Sequence, residues 1–138
     1  MDTDHLSILQ LREGNEFERI VSRLDALDSD DYGISVVTFH EQVIGCNGAL
    51  NSAKSDDAVV LGYSRLSRII SDYTFAEVVP FDTNASTTFR QLRQSRIRIG
   101  TMDLRIAAIA LSRQLIVVTR NTVDFSKVPG LVLEDWTN

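Results

Sequence analysis

Apolar residues recur every three or four positions in the longer segments of this chain, and short apolar runs lie between those segments. From Phe17 to Leu27 the spacing places the apolar side chains on one helical face, and it does so again from Val59 to Ile70. Asp82 stands where it would cap a third helix, and MDLRIAAIALSRQ has the pattern of a fourth. The sequence therefore predicts at least four amphipathic or buried helices.

The short apolar runs are rich in β-branched residues and predict buried strands. They are ISVVT, AEVVPF and LIVVT, and FHEQVIG follows the first of them as the start of a helix. Strands that alternate with helices indicate βαβ units and a parallel sheet covered on both faces. We therefore expect an α/β fold, a three-layer α/β/α sandwich with a mainly parallel central sheet, in a single domain over residues 1–138.

Composition and charge narrow the classes of protein to consider. The apolar runs are far shorter than the roughly 20 residues of a membrane-spanning helix, and the N-terminus lacks the features of a secretion signal. The single cysteine, Cys46, cannot form an internal disulfide, which suits a reducing compartment. We expect a cytoplasmic protein with no membrane partner. A net charge of −5 argues against binding nucleic acid by overall electrostatics, so such a role would need a local basic patch or a metal.

Acidic and carboxamide side chains stand at or near the ends of the predicted strands and at a helix start. They are Asp2, Asp4, Glu41, Asp103, Asn121 and Asp124. In parallel α/β sheets the reactive groups gather at the carboxyl ends of the strands. Carboxylates gathered there repel one another unless a cation joins them, and oxygen ligands select Mg²⁺ or Mn²⁺. Such an ion activates water against a phosphodiester, so the pattern predicts a metal-dependent nuclease.

Four segments, which together span nearly the whole chain, follow the order of the motifs in a known family. They are MDTDHLSIL, ISVVTFHEQVIG, IGTMDLRIAAIAL and VVTRNTVDFSKVPGLVLEDW. The first resembles the opening L-D-T-[ND]-x-L signature of the PIN-domain ribonucleases. The others are similar to that family's strand-then-acid segment, its third motif and its C-terminal motif. Within that family, the segments resemble the VapC-type toxins of bacterial toxin–antitoxin pairs.

This resemblance implies roles for particular residues. It implies a catalytic, metal-binding quartet made of Asp2, Glu41, Asp103 and Asp124. It makes Asp4 an auxiliary ligand or a helix-starting cap. It makes Thr119 and Asn121 a polar pair that positions the last acid or the phosphate. The activity it implies is endonucleolytic RNA cleavage with Mg²⁺ or Mn²⁺, which leaves a 3′-hydroxyl and a 5′-phosphate. The partners it implies are a second copy of the chain and a VapB-like antitoxin.

The start of the chain departs from the family pattern. Only Met1 precedes Asp2, whereas the family has several apolar residues there that form a strand in the middle of the sheet. The first strand therefore looks truncated, and neighbouring strands would lose their hydrogen-bond partner. We expect either that the native start lies a few codons upstream or that the chain is a shortened and weakened form.

Arginines concentrate around the third and fourth acids of the implied quartet. They are Arg90, Arg93, Arg96, Arg98, Arg105 and Arg120. On an otherwise acidic protein they form a candidate surface for the phosphate backbone of RNA, with contacts expected from Arg93, Arg96, Arg98 and Arg120. The alternative is a solvated helix face without a ligand.

Other interpretations stay open at this point. With 19 acidic residues in the chain, a single Asp or Glu near a helix start is more often an N-cap than a ligand. DTDHL also resembles the D-x-D motif of haloacid-dehalogenase-type phosphatases. That chemistry needs a lysine to hold phosphate, and neither Lys54 nor Lys127 has a convincing context. A third interpretation is a non-catalytic PIN-like protein that binds RNA or an antitoxin without cutting.

Overall fold

The computed structural model describes residues 1–74 and 76–138 as seven helices and four short strands. In chain order they are α1 (Thr3–Leu11), α2 (Asn15–Leu24), β1 (Gly33–Ser35), α3 (Val36–Asn51), α4 (Asp56–Asp72), β2 (Glu77–Val79), α5 (Thr83–Gln94), α6 (Thr101–Arg113), β3 (Ile116–Val118), α7 (Thr122–Phe125) and β4 (Val132–Glu134). In this described part, no helix has both the length and the apolar character needed to cross a bilayer.

The predicted helices are confirmed. The two apolar stripes correspond to α2 and α4, and MDLRIAAIALSRQ forms most of α6. Asp82 caps α5 as expected, because its side chain accepts the N–H of Ala85 at 2.9 Å. Ala85 and Leu92 are buried on the inner face of that helix.

The first predicted strand is shorter than its sequence suggests. Within ISVVT, only Ile34 and Ser35 belong to β1, and α3 already begins at Val36. The Ser35 side chain accepts the N–H of Thr38 at 3.0 Å and so caps α3. This bond satisfies an N–H in the first turn of the helix, which lets β-branched residues enter a helix rather than extend the strand.

The strands form two parallel pairs, β1 with β2 and β3 with β4. Met1 and Asp2 lie between the pairs and connect them. The amino group of Met1 donates to the Gly33 carbonyl at 3.1 Å, and the N–H of Asp2 donates to the Val118 carbonyl at 3.0 Å. A cavity of about 350 Å³ adjoins Met1 between the two pairs. The parallel α/β arrangement is thus confirmed, with its two halves joined by one dipeptide.

Helix α6 is the centre of the main hydrophobic core. Its residues Ile106, Ala107, Ala108, Ile109 and Ala110 are all buried. The small alanines allow α5 to pack closely against it. A second core cluster joins α1, α2, β3 and the C-terminal segment. Both clusters contain a residue of β3, Val117 in the first and Val118 in the second. They therefore hold β3 in place against the helices on its two sides.

Helices α3 and α4 pack closely at Gly62. A Cβ atom at Gly62 would lie 2.5 Å from Cδ2 of Leu50, whereas one at Gly48 in α3 would meet no atom within 4 Å. Replacing a helical glycine by alanine stabilises a helix by roughly 1 kcal/mol. At Gly48 nothing opposes this stabilisation, whereas at Gly62 the added methyl group would overpack the contact with Leu50.

We predict that Gly48→Ala raises the free energy of unfolding by about 0.5–1 kcal/mol, and that Gly62→Ala lowers it by about 1 kcal/mol. Urea unfolding followed by circular dichroism measures both changes, and each variant is the control for the other. An equal gain from the two substitutions would contradict the close packing of α3 and α4.

Candidate active site

Asp2 lies where β3 meets α1, and its surroundings hold both its backbone and its side chain. Its carboxylate is buried, caps α1 and accepts the N–H of His5 at 3.4 Å. The fully buried hydroxyl of Thr119, directly after β3, donates to the other carboxylate oxygen. Asp2, and not Asp4, is therefore the helix-starting cap, and it belongs to an acidic cluster at the same time.

A cavity of about 180 Å³ beside Asp2 collects side chains from several elements. Its lining residues are Asp2, Thr3, Asp4, Glu41, Asp103, Ile106 and Asn121. Glu41 reaches it from the second turn of α3, where its carboxylate accepts the Thr3 hydroxyl at 2.6 Å. Asp103 reaches it from the first turn of α6. The structure thus brings together three of the four predicted acids and the auxiliary Asp4.

The electrostatics of the cavity are set by this crowding of negative charge. Burial, followed by the charges of Glu41, Asp124, Asp2 and Asp4, raises the pKa of Asp103 from 3.8 to about 6. Each added carboxylate makes it harder for Asp103 to ionise. A cation placed among these groups would relieve that repulsion.

Asp124, the fourth predicted acid, does not line this cavity. Its carboxylate is paired with Lys127, and it also accepts the Asn121 side-chain amide at 3.3 Å. The hydrogen bond from Lys127, followed by that from Asn121, lowers the pKa of Asp124. Asp124 is nevertheless close enough to contribute to the raised pKa of Asp103.

The polar pair after β3 is split between two acids. Asn121 contacts Asp124 as expected, and it lines the cavity as well. Thr119 donates to Asp2, the first acid, and its oxygen accepts the N–H of Asn121 at 2.9 Å. The expectation that Thr119 lies with the last acid therefore differs from the contact found. The two residues form a chain of hydrogen bonds that links the first acid to the last.

The predicted basic residues have different environments. Arg93 and Arg105 lie over the ring of Phe89. Arg120 forms an ion pair with Glu16 at 3.4 Å. The remaining candidates, Arg90, Arg96 and Arg98, have exposed side chains. No ion pair involves these three within residues 1–74 and 76–138. Arg96 and Arg98 lie in the connection that leads to α6 and Asp103.

Comparisons with known proteins identify the family of this chain. The model of the family described as PIN domain matches residues 2–131. The chain belongs to the PIN-domain family. It is 35% identical over 126 residues to the tRNA(fMet)-specific endonuclease VapC of Salmonella typhimurium, a match that covers 88% of this chain and 87% of that protein.

Two solved structures share the PIN fold over most of their length. DNA-bound VapBC from Salmonella typhimurium has a TM-score of 0.70 at 30% identity, covering 86% of this chain and 85% of that chain. VapBC-1 from nontypeable Haemophilus influenzae has a TM-score of 0.77 at 22% identity, covering 99% and 96%. The second likeness concerns the fold alone. These comparisons and the family match confirm the VapC-type resemblance found in the sequence motifs.

The acidic side chains that line the cavity of this PIN domain are of the type that binds hard divalent cations. Asp2, Asp4, Glu41 and Asp103 offer only carboxylate oxygens to one small cavity, the ligands that Mg²⁺ and Mn²⁺ prefer. Burial, and then the neighbouring negative charges, raise the pKa of Asp103, and a cation placed there would offset both effects. In the described part of the chain, no group of three His, Cys, Asp or Glu side chains is already arranged to hold a metal ion. Binding would therefore require side-chain rotation.

Sequence reasoning missed two residues at this site. Lys127 pairs with Asp124, and the N-x-x-D-x-x-K spacing around that acid would have placed the lysine one helical turn away. His5 is fully buried beside Asp2, and only its position three residues after the cap indicated this.

The raised pKa of Asp103 predicts how stability depends on pH. Because the carboxyl binds its proton more tightly in the folded protein, the folded state loses stability as the pH rises from about 4 to about 6, and it stays less stable above that range. Asp103→Asn removes this charge. In metal-free buffer at pH 7.5 the variant should be more stable by roughly 1 kcal/mol after allowance for solvent screening, or about 3–4 °C in melting temperature.

The difference between Asp103→Asn and the parent should shrink to a small fraction near pH 4, where Asp103 is protonated in the folded state and only partly ionised in the unfolded state. Melting curves at pH 4, 5, 6 and 7.5 measure it. Asp30→Asn, a change at an exposed carboxylate in the α2–β1 connection, is the control and should follow the parent throughout. A stabilisation of the same size at pH 4 and pH 7.5 would show that the loss of the Asp103 charge is not its cause.

Proposed function

We propose that this PIN domain is a VapC-type endoribonuclease that hydrolyses RNA phosphodiester bonds with the help of Mg²⁺ or Mn²⁺. The observation that carries the proposal is the small cavity in which Asp2, Glu41 and Asp103 meet, and where burial and then the neighbouring carboxylates raise the pKa of Asp103. The name of the Salmonella relative, an endonuclease specific for tRNA(fMet), supports RNA as the substrate.

The acidic side chains would hold the metal. Asp2, Glu41 and Asp103 line the cavity, and Asp124 stands beside it with its charge balanced by Lys127. A bound divalent ion would supply a Lewis acid for the phosphodiester and lower the pKa of a water molecule. The family resemblance adds the products: water attacks phosphorus, the bond to the 3′-oxygen breaks, and a 3′-hydroxyl and a 5′-phosphate result.

The side chains of the protein position the reacting groups. Thr119 orients Asp2, Thr3 orients Glu41, and Asn121 orients Asp124, each through a hydrogen bond to a carboxylate oxygen. Asn121 also lines the cavity, where its amide can donate to a phosphate oxygen. The carboxylates of Asp2, Glu41 and Asp103 thus line one cavity from the start of α1, from α3 and from α6.

The exposed arginines before α6 would bind the RNA backbone. Arg96 and Arg98 are solvent-exposed and lie a few residues before Asp103. Guanidinium groups bind phosphate with two parallel hydrogen bonds, and such contacts make affinity depend on salt. Arg93 and Arg120 belong to the same proposed surface, although each already has a partner in the protein.

We also propose the protein partners and the location that the resemblance implies. These are a VapB-like antitoxin that inhibits the enzyme, a second copy of the chain, and the cytoplasm. The likeness to the Salmonella VapBC structure supports the antitoxin. Helix α4 leaves Val60, Leu61, Tyr63 and Ile70 more than half exposed, which suits a surface that a protein partner covers.

Purified protein should cleave bacterial RNA with Mg²⁺ or Mn²⁺ and lose this activity in EDTA. Asp103→Asn should reduce the rate at least about a hundredfold, because loss of a ligand removes several kcal/mol of metal-dependent stabilisation. Gel analysis and sequencing of 5′-phosphate ends measure cleavage. Asp30→Asn, far from the cavity in sequence and exposed, should retain the parent rate.

Failure of the parent to cleave any RNA would favour a non-catalytic PIN-like binding protein. Metal-dependent release of inorganic phosphate from a phosphomonoester, without RNA cleavage, would favour the phosphatase interpretation. The protein must be free of antitoxin, because a bound inhibitor would also abolish RNA cleavage.

Neutralising Arg96 and Arg98 together should reduce the salt dependence of RNA binding. If each contacts one phosphate of single-stranded RNA, the slope of log K against log salt should fall by about 1.4. Fluorescence anisotropy with Asp103→Asn protein prevents cleavage during the titration.

Arg12→Gln with Arg65→Gln is the matched control. Arg12 and Arg96 are both exposed at helix ends with positive φ values of 58° and 55°. Arg12 follows the opposite end of α1 from the acids. An unchanged slope in the Arg96 and Arg98 variant, or an equal loss in the control, would refute the proposed RNA surface.

A further inference from the structure

His5 occupies a buried position between the acidic cavity and the C-terminal segment. It lies in the first turn of α1, three residues after Asp2, and its side chain has no solvent exposure. Its Nε2 atom accepts the backbone N–H of Trp136 at 3.1 Å. A ring nitrogen that accepts a hydrogen bond carries no proton, so the neutral ring has its proton on Nδ1.

The protonated ring nitrogen faces the first acid of the site. His5 Nδ1 lies 3.6 Å from Oδ1 of Asp2, a few tenths of an ångström beyond a hydrogen bond. Within residues 1–74 and 76–138 this atom has no hydrogen-bond partner, although it is buried. An unpaired buried donor costs about 1–3 kcal/mol, so a small rotation of Asp2 that closes this gap is favoured.

The two carboxylate oxygens of Asp2 contact different parts of the protein. Thr119, after β3, donates to Oδ2, while the N–H and the ring of His5, both in α1, approach Oδ1. Each carboxylate oxygen has two lone pairs, so the two donors from His5 fill Oδ1, while Oδ2 keeps one lone pair for a ligand in the cavity. Thr119 and His5 therefore restrict how far the carboxylate plane of Asp2 can rotate when a ligand binds.

His5 also connects Asp2 to the end of the chain. Trp136, whose N–H binds the His5 ring, is buried in the core cluster of Ile8, Ile20 and Val118. Oδ1 of Asp135 accepts the N–H and the hydroxyl of Thr137, and it lies 3.5 Å from the same His5 Nε2 atom. The ring is therefore held on one side by an ordered backbone and presents its donor to Asp2 on the other.

We propose that His5 is a positioning residue: as the Nδ1–H tautomer it orients the Asp2 carboxylate for a divalent cation. The inference rests on the proposed metal-dependent function and deepens it. Outer groups that orient a metal ligand typically contribute 10- to 100-fold to metal affinity or activity. His5 acts through Asp2 and needs no contact with metal or RNA.

Two substitutions separate the two sides of the ring. His5→Asn keeps a side-chain N–H near the position of Nδ1 but loses the acceptor for Trp136. His5→Gln can keep an acceptor near the position of Nε2 but loses the donor to Asp2. His5→Leu loses both. The pair thus distinguishes an effect on Asp2 from an effect on the C-terminal segment.

Mn²⁺ binding to the RNA-free protein, measured by calorimetry well below each melting temperature, gives the first readout. We expect His5→Gln and His5→Leu to bind Mn²⁺ about tenfold or more weakly than the parent, and His5→Asn to stay within about threefold of it. If His5 had only a structural role, the Mn²⁺ affinities of the variants would instead fall in the order of their melting temperatures. Parent-like affinity in His5→Gln, or a loss in His5→Asn equal to that in His5→Leu, would overturn the proposal.

The second readout uses the parent protein and does not depend on variants that fold. Nitrogen-15 NMR of the imidazole rings reports which nitrogen is protonated, and His40→Gln assigns the signals because the chain has only two histidines. We expect His5 to be the Nδ1–H tautomer at pH 7.5, and any other form would overturn the proposal. If the parent binds no Mn²⁺ while His5 is the Nδ1–H tautomer, the proposed metal-dependent function fails, and the positioning role fails with it.

Discussion

The hydrogen bonds around Asp2 are the constraint on which the rest of this structure depends. Its backbone N–H binds the end of β3, its carboxylate caps α1, and the Thr119 hydroxyl holds that carboxylate from the other side. Met1 extends the connection to β1. One short segment therefore joins the two strand pairs, starts a helix and places the first acid of the site. A change at Asp2 affects folding and chemistry together.

The acidic residues lie at places where a helix tolerates negative charge. Asp2 caps α1, Asp103 is in the first turn of α6, and Asp124 is in the first turn of α7. The N-terminus of a helix stabilises a nearby carboxylate by about 0.3–1 kcal/mol, which offsets part of the mutual repulsion. Burial and the remaining repulsion together raise the pKa of Asp103. The fold thus maintains a charged site that favours a cation.

This arrangement also explains why the cap and the ligand interpretations were hard to separate in the sequence. Strands that end at one edge of a parallel sheet lead into helices there, so an acid at a strand end is also near a helix start. For Asp2 both interpretations hold, because one carboxylate caps α1 and lines the cavity. Glu41 is different: it lies in the second turn of α3, where its charge cannot cap the helix.

The amino-acid sequence by itself predicted five of the seven helices, their alternation with strands and the VapC-type motifs, and it singled out the candidate acids, because periodicity and short motifs are local properties. It could not give the end of β1, since the Ser35 cap competes there with the strand propensity of Val36 and Val37. Only the tertiary structure decided which groups meet across the chain. The contacts of Thr119 with Asp2 and of His5 with Trp136 join residues more than 100 positions apart, and packing against α6 and the C-terminal segment brings them together.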